Sequence, residues 1–169
     1  SGVTWTARLT DTNRNWQTVA SSSDGTKLVA AVAGGQIYTS TDSGTTWTAR
    51  ESNRSWNSVA SSSDGTKLVA VANSGQIYTS TDSGTNWTAR ESNRGWNEVT
   101  SSADGTRLVA GAYPGMIYTS TDSGVNWAPR ESSRSWTALA ASADGTKLVA
   151  AASNGQIYTS SGVSGLVFT

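Results

Sequence analysis

The 169 residues carry 12 Lys and Arg against 12 Asp and Glu, with no His and no Cys. That balance leaves no long-range field to gather phosphates and excludes nucleic acid as an expected partner, and the missing cysteines exclude a disulfide framework and thiolate metal sites. Apolar runs such as Leu28 to Ala33 are far short of a membrane span, so the expectation is one domain over residues 1–169, off the membrane, with no metal or other cofactor.

In chain order the first element is VTWTAR, residues 3–8, a short strand pattern standing before the connection LTDTNRNW. A 40-residue period then takes over: Trp16, Trp56, Trp96 and Trp136 are spaced by 40 each time, and Trp5, Trp47, Trp87 and Trp127 by 42, 40 and 40. All 8 Trp and all 12 basic residues belong to this repeat, which governs the reading of every single residue. The units run roughly over 9–50, 51–90, 91–130 and 131–160, the last completed by 1–8, with 161–169 as a C-terminal tail.

Each unit reads as strands. WNSVA, Trp56 to Ala60, ends in SSSDGT, where Asp64 bonds its own backbone and Gly65 takes a positive φ. KLVAVA, Lys67 to Ala72, follows; NSG turns the chain into QIYTS, Gln76 to Ser80, and an octet leads into WTAR, Trp87 to Arg90. Four short strands fill the period, and no stretch has an apolar period of 3.6. The second strand is apolar on both faces, since Leu68 and Val69, then Ala70 and Val71, point to opposite sides. Such a strand must be covered on both sides, as blades stacked round an axis cover one another. The predicted fold is all-β, a β-propeller of four blades of four antiparallel strands.

The octet STDSGTTW, Ser40 to Trp47, recurs as STDSGTNW at 80–87 and STDSGVNW at 120–127. It resembles the Asp box of the bacterial neuraminidase repeat, Ser-x-Asp-x-Gly-x-Thr-Trp, with Asn86 and Asn126 in place of Thr. The tandem units are also similar to those of photosystem II assembly factors and of repetitive bacterial surface propellers. The resemblance implies that Asp42, Gly44 and Trp47, Asp82, Gly84 and Trp87, and Asp122, Gly124 and Trp127 form structural hairpins on the rim of each blade. The physics agrees: Asp accepts from nearby backbone amides, Gly supplies the positive φ and Trp plugs the hairpin into the blade.

An enzyme is not expected from the box. A sialidase site is asymmetric between blades, whereas units 51–90 and 91–130 are identical at 28 of 40 positions. A general acid and a nucleophile need different environments to separate their pKa values. Glu98 and Asp11 are the acidic residues outside the repeated positions, and neither has a visible partner in sequence.

Every unit carries an Arg-x-Trp pair: Arg14 with Trp16, Arg54 with Trp56, Arg94 with Trp96 and Arg134 with Trp136. Residues two apart on a strand share a side, so the pair reads either as core, with Arg stacked over Trp or paired to Glu51, Glu91 or Glu131, or as a lectin-like site between blades. Repetition would give such sites avidity. The third unit departs most, at Gly111, Tyr113, Pro114, Met116 and Pro129, which reads as drift.

The fourth unit ends IYTSSGVSGLVFT, without the Asp or Trp of the octet, and SGVTW at the start matches the octet's last five residues. The expected closure therefore pairs Val3 to Arg8 beside Gly155 to Ser160, giving a monomer. The alternative uses LVFT of the tail as the outer strand and joins two chains in a strand-swapped or eight-bladed ring. The functional expectation is a non-enzymatic binding or display module for carbohydrate or a protein surface, with a ligand-free designed or truncated scaffold and a sialidase-like hydrolase as alternatives. A Ser-, Thr-, Asn- and Gly-rich composition favours an extracellular or bacterial cell-surface setting.

Overall fold

Short runs of Val, Ile, Thr, Tyr and Trp bounded by Asp-Gly and Ser-Gly turns leave the chain little choice but antiparallel strands. The computed structural model describes residues 4–160, and all the regular structure among them is β. The strands are β1 (Trp16–Ser21), β2 (Leu28–Ser40), β3 (Thr48–Ser61), β4 (Leu68–Ser80), β5 (Thr88–Ser101), β6 (Leu108–Ala112), β7 (Gly115–Ser120), β8 (Ala128–Arg134), β9 (Trp136–Ala141), β10 (Leu148–Ala152) and β11 (Ile157–Thr159).

Unit three shows the plan most plainly. Its first strand, Trp96 to Ser101 of β5, pairs with β6; β6 pairs with β7 from Leu108 opposite Ser120 to Gly111 opposite Ile117; and β7 pairs with β8. In units one and two the middle hairpin lies within a single 13-residue strand, β2 or β4. In unit one it turns at Gly34 (φ 76°) and Gly35, where a Cβ would sit 2.8 Å from Val32 Cγ1, and in unit two at Ser74 (φ 55°) and Gly75, where a Cβ would sit 2.9 Å from Ala72 Cβ.

The predicted strands of four to six residues are thus partly fused. β3 and β5 are each 14 residues long and pass from one unit into the next: Thr48 to Arg50 close unit one, and Trp56 to Ser61 open unit two. Bulges between Ala33 and Gly35 and between Gly35 and Ile37 let the ladder bend while keeping Arg54 opposite Gly35.

The core lies between units. Val29, Ala31 and Ile37 of unit one pack on Trp56, Val59 and Leu68 of unit two. Val69, Val71 and Ile77 of unit two pack on Trp96, Val99 and Leu108 of unit three, and Val109 and Ile117 of unit three on Trp136 and Leu148 of unit four. This explains the two-sided second strand: Leu68 and Ala70 face backwards into one cluster while Val69 and Val71 face forwards into the next. A backbone chain reinforces the order, with Ser23 N donating to Ser63 O (2.8 Å), Ser63 N to Ala103 O (2.7 Å) and Ala103 N to Ala143 O (2.7 Å).

The predicted closing strand is not formed. Residues 4–8 belong to no ladder and Trp5 is 92% exposed, so unit four has three strands among the described residues, β9, β10 and β11. In the other units an Asp-anchored octet turns the third strand directly into the fourth; the segment around Trp5 has no such turn to deliver it. Val3 of that predicted strand, and the tail 161–169 with the rival outer strand, lie outside the described residues.

Candidate functional site

The octets fold on themselves. Asp42 accepts from the Thr46 amide (2.8 Å), the Thr46 hydroxyl (2.6 Å) and the Ser40 hydroxyl (2.8 Å). Asp82 and Asp122 accept from the backbone amide and side-chain Nδ2 of Asn86 and Asn126 at 2.9 and 2.6 Å, so Asn replaces Thr without loss of a donor. Ser43, Ser83 and Ser123 have φ of 57°, 57° and 59°, followed by Gly44, Gly84 and Gly124 at 82° to 84°. Trp47, Trp87 and Trp127 donate Nε1–H to those glycine carbonyls at 3.0 Å. The donors hold all three carboxyls well below the ordinary 3.8, at about 2. Every one of these carboxylates is an ionised acceptor inside its own turn.

The second Asp series behaves alike. The Ser22, Ser102 and Ser142 hydroxyls, then the amides of Thr26, Thr106 and Thr146, lower Asp24, Asp104 and Asp144 to about 2, and the Ser62 hydroxyl lowers Asp64 further still. Among the described residues no three His, Cys, Asp or Glu side chains gather to hold a metal ion.

The Arg-x-Trp pairs resolve into a three-layer stack. Trp56, Trp96 and Trp136 are fully buried, while Trp16 is 39% exposed. A tyrosine stands edge-on to each indole, with centroids 5.0 to 5.4 Å apart: Tyr38, Tyr78, Tyr118 and Tyr158. The guanidinium lies over that tyrosine, at 5.0 Å for Arg14, 4.5 Å for Arg54, 4.8 Å for Arg94 and 4.7 Å for Arg134. Arg14 and Arg94 also sit 5.9 Å from their indoles. In units two to four the indole of the pair is therefore not open to a sugar; the group of the pair presented to solvent is the arginine. Sequence reasoning missed the tyrosines, although their 40-residue spacing was in view, because their place depends on register across two ladders.

Each arginine has a carboxylate three residues before it. Glu51, Glu91 and Glu131 adopt φ of 53° to 55°, which turns their side chains back to Arg54 (3.1 Å), Arg94 (3.3 Å) and Arg134 (3.7 Å). In unit one, where the connection is longer, Asp11 grips Arg14 with two bonds of 2.9 and 2.8 Å, and that contact lowers the Asp11 carboxyl and raises the guanidinium. Gln36 and Gln76 donate to the carbonyls of Glu51 and Glu91 at 3.0 and 2.8 Å.

Unit three breaks this pattern. Met116 stands where the others have Gln, and a groove of about 380 Å³ opens beside Arg94, lined by Gly95, Pro114, Met116, Tyr118 and Ser133. Met116 is exposed there, and Tyr113, next to the groove's Pro114 in the chain, is exposed as well. Two of the departures, Tyr113 and Gly111, pack closely against residues that also differ from the other units. A Cβ on Gly95 would lie 2.5 Å from the Tyr113 carbonyl oxygen, and the Tyr113 amide donates to Gly95 O at 2.7 Å. Likewise a Cβ on Gly111 would meet Trp136 Cβ at 3.2 Å and Leu139 Cδ1 at 3.4 Å, and Leu139 is the position held by Val in the other units.

No protein-family model matches the sequence, and no curated protein does. Solved structures do match in shape. YCF48 bound to a D1 peptide superposes with a TM-score of 0.69 at 20% identity, over 93% of this chain and 55% of that one. The GH74 enzyme of Niastella koreensis gives 0.69 at 22% identity, over 91% of this chain and 24% of that one. The computationally designed Ika4 protein gives 0.72 at 16% identity, over 88% and 91%. The chain is a β-propeller. Its units are therefore blades, and it spans little more than half the length of YCF48. Identities this low carry the fold alone.

Proposed function

We propose that this propeller is a non-enzymatic binding module of the Asp-box type, and that it takes a polypeptide segment combining a carboxylate with apolar side chains. The observation that carries the reading is the blade-three groove: Arg94 offers a charged group at one wall, and Pro114 and Met116 offer an apolar edge at the other. Arginine, tyrosine and methionine are the side chains that protein-binding surfaces favour. The D1 peptide held by YCF48 supports a polypeptide ligand for a propeller of similar shape. The non-enzymatic half rests on the carboxylates. The octet aspartates are spent on turn bonds and lowered to about 2, whereas a general acid needs a raised value.

The test is an array of peptides that place Asp, Glu or a free C-terminus beside Leu, Phe or Met. Binding is expected, and Arg94→Ala or Met116→Gln should each weaken it about tenfold, as loss of one charged or apolar contact does. Binding by no peptide, or binding that ignores both substitutions, overturns the polypeptide reading. Hits on a glycan array at millimolar sugar, lost in Trp16→Ala, would favour carbohydrate instead. Turnover of a fluorogenic sialoside would overturn the non-enzymatic half.

A further inference from the structure

The interface between consecutive blades is built three times within the chain, and its two halves are each left over once. On the forward face, Val29, Val69 and Val109 are buried by the next blade, but their counterpart Val149 is 39% exposed; Ile37, Ile77 and Ile117 are fully buried, but Ile157 is 75% exposed. On the backward face, Val59 and Val99 are buried by the preceding blade, but Val19 is 72% exposed, and Trp16 is open where Trp56 and Trp96 are sealed. Among the described residues blade four thus presents an uncovered forward face and blade one an uncovered backward face.

The polar details of the interface are unfinished at the same places. The backbone chain from Ser23 to Ser63, Ala103 and Ala143 starts with a carbonyl at Ser23 and ends with an amide at Ala143, neither of which has, among the described residues, the interblade partner its counterparts have. Lys27, Lys67 and Arg107 lie over the Asp-Gly turn of the next blade, so a Cβ on Gly65, Gly105 or Gly145 would come within 2.8 Å of them; a Cβ on Gly25 would meet nothing within 4 Å. Lys147 is the basic side chain of the series that has no following turn among the described residues. Thr39 and Thr79 pack in the same way against Gly84 and Gly124, and Gly44 has no preceding threonine.

The geometry points to a second copy of this chain as the occupant of both faces: blade four of each copy covers blade one of the other, repeating the interface already present between blades one and two. A contact between two different surfaces propagates until the rotation closes. Two copies of four blades make an eight-bladed ring, the upper end of the usual range, whereas three copies would overshoot it. Val149 and Ile157 would be sealed by Trp16, Val19 and Leu28, and Ala143 N would donate to Ser23 O of the second copy. Closure would remove two apolar faces that a lone chain exposes to water.

The 169-residue chain is tested by light scattering at micromolar concentration. A mass of twice 17.5 kDa is expected. Val19→Glu and Ile157→Glu place a charge at positions exposed in the single chain, so each should fold with an unchanged far-ultraviolet spectrum yet run at the single-chain mass. Mixing the two variants should restore a double mass, because the Val19→Glu copy keeps an intact blade four and the Ile157→Glu copy an intact blade one. A single-chain mass for the unsubstituted protein overturns the proposal and leaves the faces to other segments. A double mass that survives either substitution, or a mixture that stays single, overturns it too, since the contact would then lie elsewhere or join like faces.

Discussion

The Ser58 hydroxyl donates to Glu98 Oε1 at 2.7 Å, tying β3 to β5 across the boundary between blades two and three. Ser58 is buried and also accepts from the Val99 amide at 3.3 Å. Replacing Glu98 by Ala removes the acceptor of a buried donor and should cost about 1–3 kcal/mol. The measurement is the midpoint of urea unfolding; an unchanged midpoint would mean that the bond makes no net contribution.

The buried tryptophans are not equivalent. Trp96 Nε1 donates to Ser92 O at 3.2 Å, whereas Trp56 Nε1 and Trp136 Nε1 are buried without a hydrogen-bond partner among the described residues. Trp96→Phe should therefore destabilise by about 1 kcal/mol more than Trp56→Phe, because only the former removes a formed bond. Truncation to Ala at either position should cost roughly 3–5 kcal/mol. Equal losses for the two Phe variants would count against a role for the Ser92 contact.

Gly111 and Leu139 form a compensated pair. Val at 111, the residue blade two has at Val71, would press on Trp136 and Leu139 and should cost about 1–3 kcal/mol by overpacking. Adding Leu139→Val recreates the blade-two combination and should recover most of that loss. A thermodynamic cycle on the two substitutions should give a coupling on the order of 1 kcal/mol, and strict additivity would refute the pairing.

Acid should destabilise the propeller in a defined window. Asp24, Asp42, Asp82, Asp104, Asp122 and Asp144 are held at about 2 in the fold against 3.8 otherwise. A depressed carboxyl binds its proton more readily in the unfolded chain. Its contribution is complete above pH 3.8 and is lost as pH falls towards about 2. The melting temperature should stay level between pH 7 and 5 and drop steeply from about pH 4 downward. Asp82→Ala should lower the neutral-pH value and flatten the drop; a parallel curve would show that Asp82 is not among the linked groups.

Much of the fold was legible because it rests on short-range chemistry. The Asp64-Gly65 turn appears as read, with Thr66 N donating to Asp64 Oδ1 at 3.0 Å and Gly65 at φ 66°. The two-sided burial of Leu68 to Val71 follows from the period of two. The expected closure by residues 3–8 was not legible: an octet match at Trp5 reports what a segment can pair with, not whether a turn brings it there. The candidate site was half visible. The arginines could be named, but the choice of Tyr78 over Trp56 as the platform for Arg54 depends on how deeply the indole sinks between blades.

The sequence by itself determined the 40-residue period, which is read directly from its spacing, and the antiparallel strands and self-satisfied turns, which depend on residues within a few positions of one another. Tertiary structure alone decided which faces are covered. Val19 and Val59 occupy the same place in the repeat, yet one is exposed and the other sealed, because the cover comes from the neighbouring blade and not from the residues around each valine. The bond from Ser58 to Glu98, the fit of Gly111 under Leu139 and the groove beside Arg94 belong to the same class: each joins residues about 20 to 40 positions apart, whose distance is set by packing between sheets.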